Sequence, residues 1–266
     1  MKLRSFTART AKEILRDPLT LIFGLGFPLV LLFLLSAIQA SIPVALFEID
    51  RLTPGLTVFG LSFLTLFSAT LIARDRESAL LQRLYTTPLT APDFILGYTL
   101  PILPIALAQC AVCYLAALPL GLTPRIGMLY ALLFILPTSL VYIALGLLCG
   151  SVFSVRQVGG VCGALLTNLS AWLSGIWFDL DLVGGAFQRI ADALPFVHAV
   201  RLEQAALNGD WSGLLPHLWW VLGYGIGLST AKAIVARHHG RIANRYAGGV
   251  ITFSVTLPQG LKKEDR

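Results

Sequence analysis

Long apolar stretches separated by short charged segments dominate the pattern of this chain. An α-helix needs about 20 apolar residues to cross a hydrocarbon core of about 30 Å. Six stretches reach or approach that length: Leu19–Ala40, Leu56–Ala73, Tyr98–Leu120, Leu129–Cys149, Val158–Trp177 and Leu214–Ala231. The pattern therefore predicts an all-α polytopic membrane protein with six transmembrane helices.

The N-terminal segment before the first apolar stretch is amphipathic. Its apolar positions recur at roughly helical intervals, with basic residues between them, and Arg16-Asp17-Pro18 closes the segment. No small-residue cleavage site follows a short apolar run, so the segment does not read as a signal peptide. We expect a basic helix lying on the cytoplasmic leaflet of the bilayer.

A second amphipathic segment, residues 74–89, follows the second predicted span. Apolar and charged residues alternate there at near-helical spacing, and Pro88 ends the helix because it lacks the backbone N–H. A helix this short has little stability alone. We expect it to dock on another molecule, and a solvated loop helix is the alternative.

Two shorter helical patterns occupy the stretch between the last two predicted spans. They are Phe187–Leu194 and Val197–Leu207, with Pro195 as the break between them. Neither is long enough to cross the membrane. The sequence predicts two short helices at the outer interface, which could dip inward as a lid.

Composition supports the membrane assignment. Apolar residues make up 56% of the chain, charged residues 13%, and the mean hydropathy is +0.77. A soluble domain carries about 25% charged residues. Ionisable residues are nearly absent from the predicted span interiors, which argues against an ion-driven transporter, an intramembrane protease or a zinc site.

The basic residues also predict the topology. Most of the 20 Lys and Arg residues lie before the first span or after the second, fourth and sixth spans. The positive-inside rule then places both termini in the cytoplasm. The lipid bilayer is the expected partner of this charge, and no nucleic acid is expected, because the aromatic residues lie mostly in the spans.

Small and aromatic residues supply the remaining candidates. Glycines recur at four-residue spacing, which can let helices pack closely: Gly146 with Gly150, Gly159 with Gly163, and Gly223 with Gly227. The pair Cys110 and Cys113 has redox-motif spacing but lies mid-span, where cysteine usually behaves as a small apolar residue. Aromatic side chains could line a path for apolar cargo, or face lipid instead: Phe59, Phe63, Phe67 and Trp172.

Three stretches, in order along the predicted topology, carry a resemblance to a known family. The first is the basic N-terminal helix ending at Pro18, and the second is residues 74–89, which close on Leu84-Tyr85-Thr86-Thr87-Pro88. The third is Ala193–Arg201. Together they resemble the ABC-2-type permeases, the membrane subunits of one class of ATP-binding-cassette exporters. The family shows L-x-x-T/S-P in the second stretch and N-P-x-x-x-x-x-x-R in the third, where this chain has Leu194 in place of Asn.

The resemblance covers roughly residues 1–226 and implies a function. In that family the segment after the second span is a coupling helix that docks into a separate ATPase subunit, and two permeases work together as a homodimer or a pair. It assigns partner docking here to Arg76, Glu77, Leu80, Arg83, Leu84, Thr87 and Pro88. The chain has no P-loop motif, so we expect a transport subunit that is not itself an enzyme and takes no cofactor. We expect it in a bacterial inner membrane, as the resemblance implies.

The end of the chain changes character. It contains the glycine-rich run Gly223–Leu228, then Gly248-Gly249-Val250-Ile251, and an alternating strand pattern that ends in Leu257-Pro258. With these motifs, residues 223–258 resemble the C-terminal end of a histidine-kinase ATPase domain, but they lack its phospho-acceptor, N and D-x-G-x-G boxes. We therefore divide the chain into a transmembrane domain, 1–231, and a truncated kinase-like tail, 232–266, which forms an orphan β-hairpin at most. Two alternatives to a working exporter subunit remain: a non-functional fusion or truncated permease, and a membrane sensor histidine-kinase fragment.

Overall fold

The computed structural model describes residues 2–43, 47–78, 90–237, 241–247 and 250–256, and most of them are helical. The first half of the chain contains α1 (Lys2–Leu15), α2 (Pro18–Ser41), α3 (Ile49–Glu77), α4 (Ala91–Thr99), α5 (Leu103–Ala117) and α6 (Gly127–Val152). The predicted amphipathic helix is α1. A Thr90 capping box begins α4, and Pro101 lies in the break between α4 and α5.

Shorter elements follow α6. They are α7 (Val155–Val158), a π-helix (Gly159–Leu166), α8 (Thr167–Leu173), α9 (Leu180–Val183), α10 (Gly185–Asp192), α11 (Pro195–Asn208) and the long α12 (Trp211–Arg237). Two strands, β1 (Arg241–Ala247) and β2 (Val250–Thr256), pair antiparallel with Arg241 opposite Thr256.

Four helical segments of the described chain are long and apolar enough to cross a membrane. They are Leu21–Ser41, Ile49–Glu77, Pro92–Ala117 and Gly127–Val152, and they contain most of the first four predicted spans. The fifth predicted span is divided among α7, the π-helix and α8, while the sixth falls within α12. The four apolar helices indicate a multi-pass membrane protein, and the fifth and sixth spans stay predictions.

Helix α3 forms the centre of the bundle and packs against α2, α5, α6 and α11. Its approach to α6 is close because α6 presents glycine. A Cβ atom at Gly146 would overlap the Thr65 carbonyl oxygen, and one at Gly150 would overlap the Ala69 carbonyl oxygen. The Thr65 hydroxyl also donates to the Tyr142 carbonyl oxygen, at 2.9 Å. The Gly146 pair therefore packs helices together, as small residues allow.

The other two predicted glycine pairs make no such contacts with the described residues. Added Cβ atoms at Gly159, Gly223 or Gly227 would meet nothing within 4 Å, and one at Gly163 would make ordinary contact with Leu66. The spacing alone did not distinguish the pair that packs from the pairs that do not.

Contacts define two ends of the bundle. At one end, which we call the α1 end, Arg76 at the C-terminus of α3 donates to carbonyl groups at the C-terminal end of α6. At the other, the Arg125 end, Arg125 pairs with Asp50 and donates to the Asn208 side chain at 3.1 Å. The ends of α3, α6 and α11 are therefore aligned along a common axis.

Helix α11 is inserted into the bundle rather than lying across its surface. Near its start, the Phe196 ring lies 6.1 Å from the Tyr142 ring, well inside α6. Near its finish, the Leu207 carbonyl group abuts Gly127, the first residue of α6. Pro195 begins the helix, and Gly209 ends it in a left-handed conformation with φ +70°. The two short helices predicted for this stretch are present, and the second runs from the interior to the Arg125 end.

Candidate functional site

A buried carboxylate joins three helices at the α1 end. Asp75, near the end of α3, is only 2% exposed. Arg9 on α1 donates to both of its oxygens, with N–O distances of 2.6 and 2.7 Å, and the Tyr98 hydroxyl on α4 donates at 2.6 Å. We call Arg9, Asp75 and Tyr98 the Asp75 triad. Bidentate guanidinium–carboxylate pairs are among the stronger hydrogen-bonded interactions in proteins.

The electrostatics of α1 follow from this triad. The hydrogen bond to Asp75 is the main influence raising the pKa of Arg9 above its ordinary value, although burial acts in the opposite direction. Glu13 lies one turn further along α1 and pairs with Arg9 at 2.7 Å. Burial raises the pKa of Glu13, while the charge of Arg9 opposes that rise.

Aromatic packing reinforces the triad. The Phe6 ring stacks on Phe94, with centroids 5.9 Å apart, and meets Tyr98 edge-on at 5.0 Å. Gly97 lies beneath Phe6, and a Cβ atom there would overlap the Phe6 ring. The apolar face of α1 therefore packs against α4. Its buried residues contact protein as well as the expected membrane surface.

Two of the predicted docking residues lie just beyond the triad. The Arg76 guanidinium donates to the carbonyl oxygen of Phe153 at 2.6 Å and to that of Ser151. The Glu77 carboxylate accepts the backbone N–H of Val155 at 2.9 Å. Both side chains thus tie the end of α3 to the turn after α6. Their docking role stays a prediction.

The other predicted docking residues lie outside the described residues: Leu80, Arg83, Leu84, Thr87 and Pro88. Both flanks of that segment are anchored, however. The Ser78 backbone N–H donates to the Arg74 carbonyl oxygen at 2.9 Å, and Thr90 exchanges capping hydrogen bonds with Asp93. A displacement of the segment would therefore reach α3 and α4 directly.

The predicted cargo-lining residues differ in their burial. Phe59 and Phe67 are buried on α3, and Phe63 lies between them on the same face. The Phe27 ring of α2 lies 5.4 Å from Phe63. These rings pack against α2, whereas Trp172 on α8 is 59% exposed. No sequence signal distinguished packing rings from exposed ones.

Two of the cavities along the described helices bear on cargo. An apolar cleft of about 440 Å³ lies between α4, α6 and α12 and is lined by residues such as Leu96, Leu140 and Ile226. A second cavity, of about 720 Å³, opens at the Arg125 end and has a mixed polar and apolar lining. We call it the Arg125-end cavity. Trp177 and Phe178 form part of its aromatic wall.

A histidine pair lies between α11 and α12. The Nδ1 atoms of His198 and His217 are 2.9 Å apart, and Nε2 of His198 lies 2.8 Å from the Asp192 carbonyl oxygen. A carbonyl oxygen only accepts, so neutral His198 carries its proton on Nε2 and accepts at Nδ1. The Trp220 ring stacks on His198 at 4.6 Å. Burial is the main influence lowering the pKa of His198 below its ordinary value of 6.5.

Two functional candidates escaped the sequence reasoning. Asp75 belongs to the charged segment 74–89, for which the sequence predicts a docking or solvated helix. Glu203 belongs to the helical pattern Val197–Leu207, which the sequence places at the outer interface. Glu203 is fully buried on α11, and burial raises its pKa well above the ordinary value. Cys110 and Cys113 are buried on α5 with free thiols. A signal for Glu203 was present, because apolar residues flank it on both sides in a helical pattern.

Comparison with known proteins covers most of these features. A family model described as ABC-2 type transporter matches residues 1–207. The match therefore includes the Asp75 triad and Glu203. A search of curated proteins finds no match. The family match ends before residue 223, and it gives no support to the histidine-kinase resemblance of the tail.

Proposed function

We propose that this chain, which belongs to the ABC-2 type transporter family, exports apolar or amphiphilic molecules using the ATPase activity of a separate subunit. Family membership makes it the membrane permease component of an ABC transporter, a transport component rather than an enzyme. The export direction, the cargo class and the separate ATPase are the proposed parts.

The Asp75 triad is the observation that supports an ATPase partner. It fixes α1 and α4 to α3 immediately before the segment 79–89, which the resemblance makes a coupling helix. Asp75 is buried and bonded by both Arg9 and Tyr98, so the three helices are held together at the point where force would enter. A helix docked on a moving ATPase would then displace all three together.

The proposed assembly contains two permease chains, as a homodimer or with a related permease. Its setting would be a bacterial inner membrane, with both termini in the cytoplasm. The unequal distribution of Lys and Arg supports this orientation. Exposed apolar side chains on α2 supply a surface for lipid or a second permease: Ile22, Phe23, Val30, Phe33 and Leu34.

The cargo class rests on the apolar character of the bundle. The cleft between α4, α6 and α12 is lined almost entirely by apolar atoms, which favours contact area over ion pairing. Trp177 and Phe178 offer further aromatic surface at the Arg125-end cavity. Such surfaces suit a drug-like or lipid-like molecule better than a sugar-rich polymer.

Co-purification with an ATPase encoded beside this gene tests the partner. We expect the Glu77→Lys plus Leu84→Asp double variant to lose the ATPase. The matched control is Glu48→Lys plus Leu182→Asp, which makes the same changes in exposed residues at the Arg125 end and should retain it. Retention by the Glu77 and Leu84 double variant would show that the coupling assignment is wrong.

A further inference from the structure

One buried carboxyl group of the bundle has no hydrogen-bond partner among the described residues. Glu203 has no exposed surface, and neither of its oxygens accepts a hydrogen bond from that part of the chain. Asp75, the other buried acidic residue of the described chain, contrasts with it because Arg9 and Tyr98 donate to Asp75. An ionised carboxylate without partners is costly in such a place. An acidic residue kept at membrane depth points to a ligand that it meets there.

The surroundings of Glu203 contain a further unused hydrogen-bonding group. Tyr114 and Cys110 of α5 lie within electrostatic range of Glu203, and the buried Tyr114 hydroxyl has no hydrogen-bond partner among the described residues. The Tyr114 hydroxyl oxygen could accept a hydrogen bond from an N–H cation.

Glu203 lies close to an exit. It is one helical turn from Leu207, or about 6 Å along the axis, and Leu207 abuts Gly127 at the Arg125 end. A neighbouring face of α11, which includes Gln204, lines the Arg125-end cavity. Four acidic residues line that cavity against two basic ones: Glu48, Asp50, Asp179 and Asp181, with Arg51 and Arg201. The excess of acidic side chains favours a cation over an anion.

We propose that Glu203 is the counter-ion for cargo that carries an N–H cation on an apolar body, and that this cargo leaves through the Arg125-end cavity. The inference rests on the proposed export function and narrows its cargo class to cationic amphiphiles. The carboxylate pairs with the cation, and the apolar body remains in contact with the bundle. Helix α11 must shift to admit the cargo, since Glu203 is enclosed in the present state.

Cation binding and proton release are linked at this site. A carboxyl group that is buried without a hydrogen-bond donor among the described residues favours its neutral form, so the empty site holds a proton on the carboxyl group. When the cation binds, the carboxyl ionises and the proton leaves to solvent. Affinity should therefore rise with pH. Tyr114 and Cys110 are the titratable groups of the described chain that lie within electrostatic range of Glu203.

The test uses two probes of equal shape with the full-length chain in lipid nanodiscs. 1-Aminoadamantane carries an ammonium group on an apolar cage, and 1-adamantanol is its neutral counterpart. We expect saturable binding of the amine, weakened at least about tenfold by Glu203→Gln. Proton release on amine binding should vanish in the same variant. Glu13→Gln removes a carboxylate at the α1 end, away from the Arg125-end cavity, and should leave amine binding unchanged.

The outcomes distinguish a failure of the Glu203 assignment from a failure of the proposed export function. Equal amine binding by wild type and Glu203→Gln, or no amine binding by wild type, would overturn the assignment. If Glu203→Gln unfolds, Glu203→Asp keeps the charge and should still release a proton on binding; its failure to do so in a folded protein would also overturn it. ATP-driven transport is measured separately with both probes. Export of the neutral probe without dependence on Glu203 would support the proposed function and reject this inference, whereas Glu203-dependent binding without transport would do the reverse.

Discussion

Arg9 and Asp75 are separated by 66 positions in the sequence, yet the guanidinium of one donates to both carboxylate oxygens of the other, at 2.6 and 2.7 Å. The pair connects the amphipathic N-terminal helix to the end of the central helix. It is asymmetric, since Asp75 is buried while the Arg9 side chain is 38% exposed. Removal of Arg9 would therefore leave a buried carboxylate with only the Tyr98 hydroxyl as a donor.

We predict that Arg9→Ala lowers the free energy of unfolding by about 2–3 kcal/mol, because a buried charge loses its counter-ion. Denaturant unfolding in detergent micelles measures the change. Arg125→Ala breaks the more exposed pair with Asp50 and should cost less than about 1 kcal/mol. Equal losses in the two variants would contradict the importance given to burial at Asp75.

We predict that Gly146→Ala destabilises the bundle by about 1–3 kcal/mol, as overpacking does in a filled interior. The added Cβ atom would overlap the backbone carbonyl oxygen of Thr65, which cannot move aside as a flexible side chain could. Gly223→Ala is the matched control, because its Cβ atom would meet nothing within 4 Å. Thermal unfolding should separate the variants, and unchanged stability in Gly146→Ala would refute the close α3–α6 packing.

We predict that the α11–α12 contact weakens as the pH falls below about 6.5. Burial lowers the pKa of His198 in the folded protein, so the unfolded chain binds its proton first. The stabilisation is complete above the unfolded pKa and is lost as the pH falls through the lower folded pKa. The emission of Trp220, which stacks on His198, should report the change.

His198→Phe provides the control for that titration. The phenyl ring can retain the stack on Trp220 but cannot bind a proton. Trp220→Phe identifies which tryptophan supplies the signal. Persistence of the same pH-dependent emission in His198→Phe would assign the transition to another group.

The positions of the helices were easier to predict from the sequence than the contacts between them. Apolar stretches marked the first four membrane helices because length and hydropathy are local properties. Pro195 likewise marked the start of α11. The burial of Asp75 was not predictable from its position in Arg74-Asp75-Arg76-Glu77, because it depends on Arg9 and Tyr98, which the fold brings from distant segments.

The burial of Glu203 was also not predictable from the local sequence. Helix α11 has 14 residues, too few to cross a membrane, so its sequence suggested a surface connector. Its insertion depends on packing against α6, from Tyr142 to Gly127. A connector and an inserted helix can share one local pattern, and only the neighbouring helices distinguish them. The coupling residues from Leu80 to Pro88 remain sequence predictions.

The glycine-mediated approach of α6 to α3 has a mechanical consequence. Backbone atoms meet directly at Gly146 and Gly150, so the two helices have no side-chain layer on which to slide past each other. We expect them to move as one rigid unit. Helix α3 has 29 residues and a length of about 43 Å, with Glu77 at one end and Asp50 at the other. A push delivered near Glu77 would then tilt both helices, and Asp50 would move with them at the mouth of the opposite cavity.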